Sequence, residues 1–153
     1  MDILAIDPGP TESAFVLWDG KRVQNKGKWE NDELLGRLRT ERPALLVIEQ
    51  VASYGMPVGK DVFETVFWSG RFAERWNQQW KRVPRKDVKM FLCGSMKAKD
   101  SNIRQALIDR FGKPGVKKAP NEVYGEDGSK EKKLKADEWQ ALALAVTAYE
   151  AEH

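Results

Sequence analysis

Cysteine, histidine and long apolar runs are almost missing from this sequence. Cys93 is the single cysteine, which excludes an intrachain disulfide and favours a reducing location such as the cytoplasm. The single histidine is the last residue, His153, so no internal histidine can act as a catalytic base or metal ligand. No apolar stretch approaches the roughly 20 residues of a membrane span, and the acidic N-terminal region predicts no signal peptide. Acid–base or metal chemistry must therefore rest on carboxylates, lysines or metal-bound water.

Charge is distributed unevenly along the 153 residues. Residues 81–135 carry 16 Lys and Arg against 7 Asp and Glu, a net charge of +9, whereas the whole chain has a net charge of +3. A basic block beside an acidic remainder indicates an anionic partner, with nucleic acid the first candidate. Residues 113–135 combine Pro, Gly and Lys without periodicity, which predicts a mobile basic loop. A solvated loop without a partner is the alternative.

The order of predicted elements indicates a single α/β domain over residues 1–153. Three antiparallel strands open the chain, with Asp19-Gly20 as a hairpin turn, and a helix leads from them to a continuously apolar strand. The predicted strands are 2–7, 12–19, 21–29, 44–50 and 81–84, and the predicted helices are 31–42, 61–80, 85–92, 101–112 and a final one from 136. Asn31 and Ser101 are the predicted N-caps. This is the order of a ribonuclease H-like fold, with a mixed five-stranded sheet (three antiparallel strands, then two parallel) and helices on both faces.

The long helix predicted over 61–80 has a broader apolar stripe than packing against one sheet requires. We therefore expect part of this helix to bury against another chain. Trp18 and Trp139 are predicted to lie in the core. For Trp68, Trp76 and Trp80, which fall on the long helix, a core position and a dimer contact both remain open.

Three carboxylates stand where buried elements begin or end. Asp7 ends the first strand, Glu49 follows the apolar run of the fourth, and Asp137 opens the last helix. One helix between the two strands permits a right-handed crossover that makes them parallel neighbours, so Asp7 and Glu49 would emerge at the same edge of the sheet. Each residue alone has a simpler interpretation, a turn for Asp7 and a favourable helix start for Asp137.

Together, these carboxylates predict a metal site. Three carboxylates in close proximity repel one another, and a divalent cation relieves that repulsion. Oxygen ligands without histidine or cysteine favour Mg²⁺, with Mn²⁺ as its substitute. Such ions activate water and stabilise the leaving oxygen in phosphodiester hydrolysis. Whether one or two ions bind is left open.

The ordered motifs resemble a known family. "AIDPG" after the first strand, "VIEQV" after the fourth and "DEWQALALAVTA" at the start of the last helix are similar to the RuvC-type Holliday-junction resolvases, in particular the short forms carried by phages. The stretch "DVKMFLCGSMKAKDSNIRQAL" over 87–107 resembles the family's lysine-bearing segment. The resemblance runs from about residue 2 to residue 149. It implies a homodimer, a location in host cytoplasm for a phage-encoded chain, and Mg²⁺-dependent nicking of four-way DNA junctions for recombination and repair.

The resemblance also implies roles for individual residues. Asp7, Glu49 and Asp137 would be catalytic metal ligands, and Lys99 or Lys97 the phosphate-contacting lysine, with Lys99 the better fit. Lys89 would lie near the DNA backbone. Bacterial members carry a second aspartate three residues after the first on the last helix, and here Gln140 stands at that position. Glu138 or Gln140 is therefore an additional candidate ligand.

Further residues are candidates for DNA contact. Tyr54 and Met56, in the loop after Glu49, would wedge against unstacked bases at a junction centre, although capping of the core is the simpler interpretation. The lysines of the predicted basic loop would attract phosphates without reading sequence. They are Lys117, Lys118, Lys130, Lys132, Lys133 and Lys135.

Three other functions compete with junction cleavage. Because Gln140 replaces an acid, the chain could bind branched DNA with weak or no cleavage. A ribonuclease H-like nuclease acting on RNA or RNA–DNA hybrids is the second alternative, and other branched DNAs such as flaps are possible substrates. An ATP-binding protein with a related sheet is the third, but it needs two lobes and 153 residues supply one.

Overall fold

The centre of the fold is a five-stranded mixed sheet in the order β3-β2-β1-β4-β5. The computed structural model describes residues 1–38, 44–115, 118–126 and 133–153, with the backbone alone for 118 and 119. The strands are β1 Asp2–Asp7, β2 Glu12–Trp18, β3 Val23–Glu30, β4 Ala44–Gln50 and β5 Trp80–Pro84. The helices are α1 Asn31–Gly36, α2 Lys60–Trp76, α3 Arg85–Cys93, α4 Asp100–Phe111, α5 Lys118–Val123 and α6 Ala136–Glu152.

The sheet is antiparallel on one side of β1 and parallel on the other. β1 pairs antiparallel with β2, and β2 with β3. β4 lies parallel to both β1 and β5. These pairings confirm the predicted mixed sheet. The sheet could be predicted because the hairpin signal and the single crossover helix left few other topologies.

Each face of the sheet has its own core, since successive side chains of a strand point to opposite faces. Ile3 and Ala5 of β1 pack in the core beneath α6, whereas Ile6 packs with Leu34 and Phe72 in the core beneath α1 and α2. Residues 138–148 of α6 are all buried. Burial of each large apolar side chain stabilises the fold by about 1.5–3 kcal/mol. The last helix is thus a central element of the fold.

Several helix boundaries differ from the predicted ones, and α1 ends at Gly36 instead of continuing to residue 42. Asn31 is the first helical residue and not the N-cap, which is Glu30, and the N-cap of α4 is Lys99 and not Ser101. The long helix ends at Trp76 because Asn77 adopts a left-handed conformation with φ of 53°. Trp80 then begins β5 and pairs with Leu46. The apolar period continued through residue 80, so the spacing alone carried no signal for this stop.

The segment predicted as a loop over 113–135 contains a short helix, α5. Tyr124, directly after it, is fully buried, and its hydroxyl donates a hydrogen bond of 2.5 Å to the carbonyl oxygen of Gly112. Burial raises the pKa of Tyr124 to about 12. Part of this segment is therefore anchored to the core. Lys117, Lys130 and Lys132 lie outside the described residues.

The tryptophans separate into buried and exposed positions. Trp18 and Trp139 are buried, as predicted, and Trp68 and Trp76 are buried too, whereas Trp80 is half-exposed. The exposed apolar residues of α2 are instead phenylalanine and valine, at Phe63, Val66 and Phe67. Cys93 is half-buried, which raises the pKa of its thiol. Within the described part of the chain, every helix is too short or too polar to cross a bilayer.

Candidate active site

Asp7 and Glu49 meet at one edge of the sheet. Ile6 pairs with Ile48 in the parallel ladder, so the next residues, Asp7 and Glu49, lie side by side at the carboxyl ends of β1 and β4. Because side chains alternate along a strand, the side chains of Asp7 and Glu49 lie on the face of the sheet that α6 covers. The two carboxyl groups are close enough to share a hydrogen bond.

This proximity changes the acidity of Asp7. Its pKa rises from 3.8 to about 8, first because burial penalises the charged form, then because Glu49 and, more weakly, Asp137 repel that charge. Arg85 opposes the rise. In the metal-free protein Asp7 is therefore largely protonated at neutral pH. Ionising Asp7 carries an electrostatic cost that a bound cation would relieve.

A hydrogen-bonded turn positions Asp7. The amide of Gly9 donates to Ser13 Oγ at 3.1 Å, the Ser13 hydroxyl donates to Asn31 Oδ1 at 2.6 Å, and Asn31 Nδ2 donates to the Gly9 carbonyl at 2.9 Å. Ser13 and Asn31 are buried. A side chain at Gly9 would collide with the carbonyl oxygen of Glu12. The Pro-Gly-Pro turn is thus fixed by β2 and α1, which holds the end of β1 in place.

Asp137 approaches the pair from the start of α6, but it already has a cationic partner. Lys28 Nζ of β3 lies 2.6 Å from Asp137 Oδ2 and 3.9 Å from Glu12 Oε2. The hydrogen bond from Lys28 to Asp137 raises the pKa of Lys28. Across the residues that the structure describes, no group of three or more acidic, histidine or cysteine side chains is arranged to hold a metal ion. The site is therefore a carboxyl pair, with Asp137 held beside it by a lysine.

Arg85 is a functional candidate that the sequence reasoning missed. Its guanidinium lies 3.5 Å from Glu49 Oε1 and is also paired with Asp100 of α4. Arg85 directly follows Pro84, the last residue of β5, which is the parallel neighbour of β4. The search for charged residues at the ends of parallel strands, which selected Asp7 and Glu49, would also have selected Arg85. Lys28 had no such signal, because it lies 109 residues from Asp137.

Two concavities flank Asp7. One of about 610 Å³ is lined by Asp7, Glu49 and a basic and apolar wall that includes Tyr54, Arg85, Lys86, Lys89 and Met96. The other, of about 490 Å³, is lined by the turn after Asp7 together with Glu12, Lys28 and Asp137. Asp7 thus connects a basic cavity to an acidic groove.

Glu138 and Gln140 have different surroundings. Glu138 is buried, accepts a 2.9 Å hydrogen bond from the backbone amide of Lys135, and lies 3.6 Å from Lys26 Nζ. It therefore caps the start of α6. Gln140 is buried, and its Oε1 has no hydrogen-bond partner among the described residues. Its role as a ligand stays a prediction.

The other predicted contact residues lie on α3, on α5 and in the segments that connect elements. Lys89 is half-buried and Tyr54 is 65% exposed, and both line the larger cavity. Tyr54 adopts a left-handed φ of 52°, and Met56 is 69% exposed beside it. Exposed lysines follow in the connections: Lys97, Lys99 (the N-cap of α4) and Lys133. For Lys118 only the backbone is described.

Solved structures of Thermus thermophilus RuvC are similar to this chain in fold. One matches with a TM-score of 0.68 and 18% sequence identity, covering 99% of this chain and 96% of the other. A second, of T. thermophilus RuvC in complex with a Holliday junction substrate, matches with a TM-score of 0.64 and 17% identity, covering 99% and 94%. No protein-family model matches the sequence, and no curated protein sequence does. The predicted ribonuclease H-like fold is confirmed.

Proposed function

We propose that this protein is a metal-dependent endonuclease that nicks four-way DNA junctions. The observation that carries the proposal is the Asp7–Glu49 carboxyl pair at the ends of adjacent parallel strands, next to a basic cavity. A structurally similar protein was solved with a Holliday junction substrate. A carboxyl pair beside cationic side chains suits phosphodiester hydrolysis, because that reaction needs a metal site and a binding site for phosphate.

The donor set fits a hard divalent cation. Asp7, Glu49 and Asp137 would hold Mg²⁺ or Mn²⁺, because all three supply carboxylate oxygens and a bound cation would offset the penalty of ionising Asp7 beside Glu49. The ion would activate water and stabilise the leaving oxygen. The chain's own contribution is to hold Asp7 through the Gly9–Ser13–Asn31 hydrogen bonds and to seat phosphate against Arg85, Lys86 and Lys89.

DNA would reach the site along its basic side. Lys89, Lys97, Lys99 and Lys133 supply charge without base readout, as phosphate contacts do. The exposed Tyr54 and Met56 are the apolar groups able to insert at an unstacked junction centre. Lys117, Lys118 and Lys132 would add phosphate attraction from the predicted basic loop.

The protein would act as a homodimer, since two symmetric nicks need two sites related by a two-fold axis. The proposed interface is the outer face of α2, where Phe63, Val66 and Phe67 are exposed. Phe63 and Phe67 are four residues apart and therefore share a face. A methyl group added at Gly70 would meet no described atom within 4 Å, so this face leaves room for close approach.

The charges on α2 favour an antiparallel pairing with a second copy. Its first half carries Lys60, Asp61 and Glu64, a net charge of −1, and its second half carries Arg71, Glu74 and Arg75, a net charge of +1. A two-fold axis near the middle of the helix would place each acidic half opposite a basic half. Electrostatic complementarity of this kind sets orientation more than affinity.

The test is cleavage of a labelled four-way junction with Mg²⁺. We expect paired, symmetric nicks from the wild type, none with EDTA, and a loss of about 10³-fold or more with Asp7→Asn, since a metal ligand is removed. Asp32→Asn, an exposed change of the same chemistry on α1, should leave cleavage unchanged. Flap, duplex and RNA–DNA hybrid substrates are run beside the junction. A preference for hybrid would favour the ribonuclease alternative.

A branched-DNA-binding protein without cleavage is the second candidate. It is favoured by the ion pair between Lys28 and Asp137 and by the missing three-carboxylate cluster among the described residues. Tight junction binding with no metal-dependent nick would establish this candidate and reject the nuclease.

A further inference from the structure

Lys28 belongs to the row of residues that contains the carboxyl pair. Asp7 pairs with Ala14 across the β1–β2 ladder, and Ala14 pairs with Lys28 across the β2–β3 ladder. Cross-strand partners share one face of a sheet. Lys28 therefore projects toward α6 from the same side as Asp7 and Glu49, two strands away from Asp7.

Two lysines of β3 hold the acidic start of α6. Lys28 Nζ lies 2.6 Å from Asp137 Oδ2, and Lys26 Nζ, two residues earlier on the same face, lies 3.6 Å from Glu138 Oε1. Lys26 contacts a buried carboxylate that also caps the helix. Lys28 instead reaches a carboxylate that borders the groove next to Asp7. Only the Lys28 contact therefore puts a cation inside the acidic groove.

The formal charges of this edge favour one divalent ion over two. Asp7, Glu49 and Asp137 are opposed by Lys28 and Arg85, which lie against Asp137 and Glu49 respectively. Glu12 and Asp100, which also contact these cations, are more exposed and are left out of the count. With all three remaining carboxylates ionised, as around a bound metal ion, three carboxylates against two cations leave one negative charge. One divalent ion and one phosphodiester then bring the site to neutrality, whereas a second ion would leave it strongly positive. Uncompensated charge in a partly buried site is costly.

We propose that Lys28 is an internal cation that takes the place of a second metal ion, so that each protomer binds one divalent ion, on the Asp7–Glu49 side. This inference rests on the proposed function for the identity of the metal site. Lys28 acts through Asp137 and is a positioning residue. The Lys28 ammonium group excludes a second metal ion from Asp137. It is tethered 2.6 Å from the Asp137 carboxylate and is therefore present at a far higher local concentration than free Mg²⁺.

The test counts Mn²⁺ ions per protomer by isothermal titration calorimetry and by electron paramagnetic resonance of free Mn²⁺. Wild type, Lys28→Met and Lys81→Met are compared. Lys81 is a matched control, because its 2.8 Å ion pair with Glu152 lies at the other end of α6. Its side-chain exposures of 33% and 48% nearly equal the 36% and 47% of the Lys28–Asp137 pair.

We expect one ion for the wild type and for Lys81→Met, and two for Lys28→Met. Two ions in the wild type, or one ion in Lys28→Met, would overturn the inference. If Lys28→Met does not fold, Lys28→Gln replaces it, and Lys28→Arg, which keeps the charge, should bind one ion.

The same titration separates this inference from the proposed function. If the wild type binds two ions and cleaves junctions, the proposed nuclease function stands and the proposed role of Lys28 is rejected. A wild type that binds no Mn²⁺ would remove the metal site, and the inference with it. Junction cleavage is measured in a separate assay, so neither result hides the other.

Discussion

Replacing Asp7 with asparagine should stabilise the metal-free protein, and the gain should depend on pH. The native pKa of about 8 lies above the ordinary value of 3.8, so between these values the native state binds a proton more tightly than the unfolded state. Stability of the wild type therefore falls as pH rises from about 4 to 8. Asparagine has the same shape and no charge, so Asp7→Asn escapes this loss.

The size of the effect follows from the pKa shift. A shift of about four units at about 1.4 kcal/mol per unit would total roughly 6 kcal/mol for a carboxyl group cut off from water. Asp7 is half-buried at the wall of an open cavity, and Arg85 opposes the shift. We therefore expect Asp7→Asn to gain about 2–3 kcal/mol above pH 8 and close to nothing at pH 4.

The assay is urea unfolding in EDTA, followed by tryptophan fluorescence at pH 4, 6, 7.5 and 9. Asp32→Asn, with its exposed side chain, is the control and should track the wild type at every pH. A gain for Asp7→Asn that does not change with pH, or a loss at pH 9, would refute the inference that Asp7 is strained by burial and by Glu49.

Three other predictions concern DNA binding and assembly. Raising NaCl from 50 to 200 mM should weaken junction binding at least about tenfold in a filter or anisotropy assay, because phosphate contacts release counterions; a flat response would argue against a basic DNA surface. Arg85→Ala should weaken junction binding by roughly tenfold, the value of a lost charged hydrogen bond, while Arg85→Lys should lose less; equal losses would point to the Asp100 contact instead. Phe67→Glu should shift the sedimentation of the protein from dimer to monomer, because it buries a charge in the proposed interface, whereas an exposed change outside that face, Glu33→Gln, should not.

Most of the fold could be predicted because its signals are local. The apolar runs of β1 and β4 and the partial alternation of β2 follow from burial on both faces or on one. The single helix between β1 and β4 made those strands parallel neighbours, and so placed Asp7 beside Glu49. The missed boundaries also have physical causes. Asn77 ends α2 by a backbone conformation, and Asn31 makes tertiary hydrogen bonds instead of capping its helix.

The partners of the acidic residues depend on contacts between distant segments. Nothing near Asp137 in the chain indicates that Lys28 lies 2.6 Å away, since their ion pair exists only when β3 and α6 pack on the same sheet. Arg85 reaches Glu49 because β5 lies next to β4. The register of the phosphate-contacting lysine, between Lys97 and Lys99, stays a prediction.

Residue order alone was enough to choose the sheet, its two buried central strands and the edge where Asp7 and Glu49 emerge, because hydrophobic period and strand crossover are properties of short stretches of chain. The charge state of that edge was decided by tertiary packing. Burial, the proximity of Glu49, and the cations Arg85 and Lys28 act through space over a few ångströms, and segments far apart in the chain supply them.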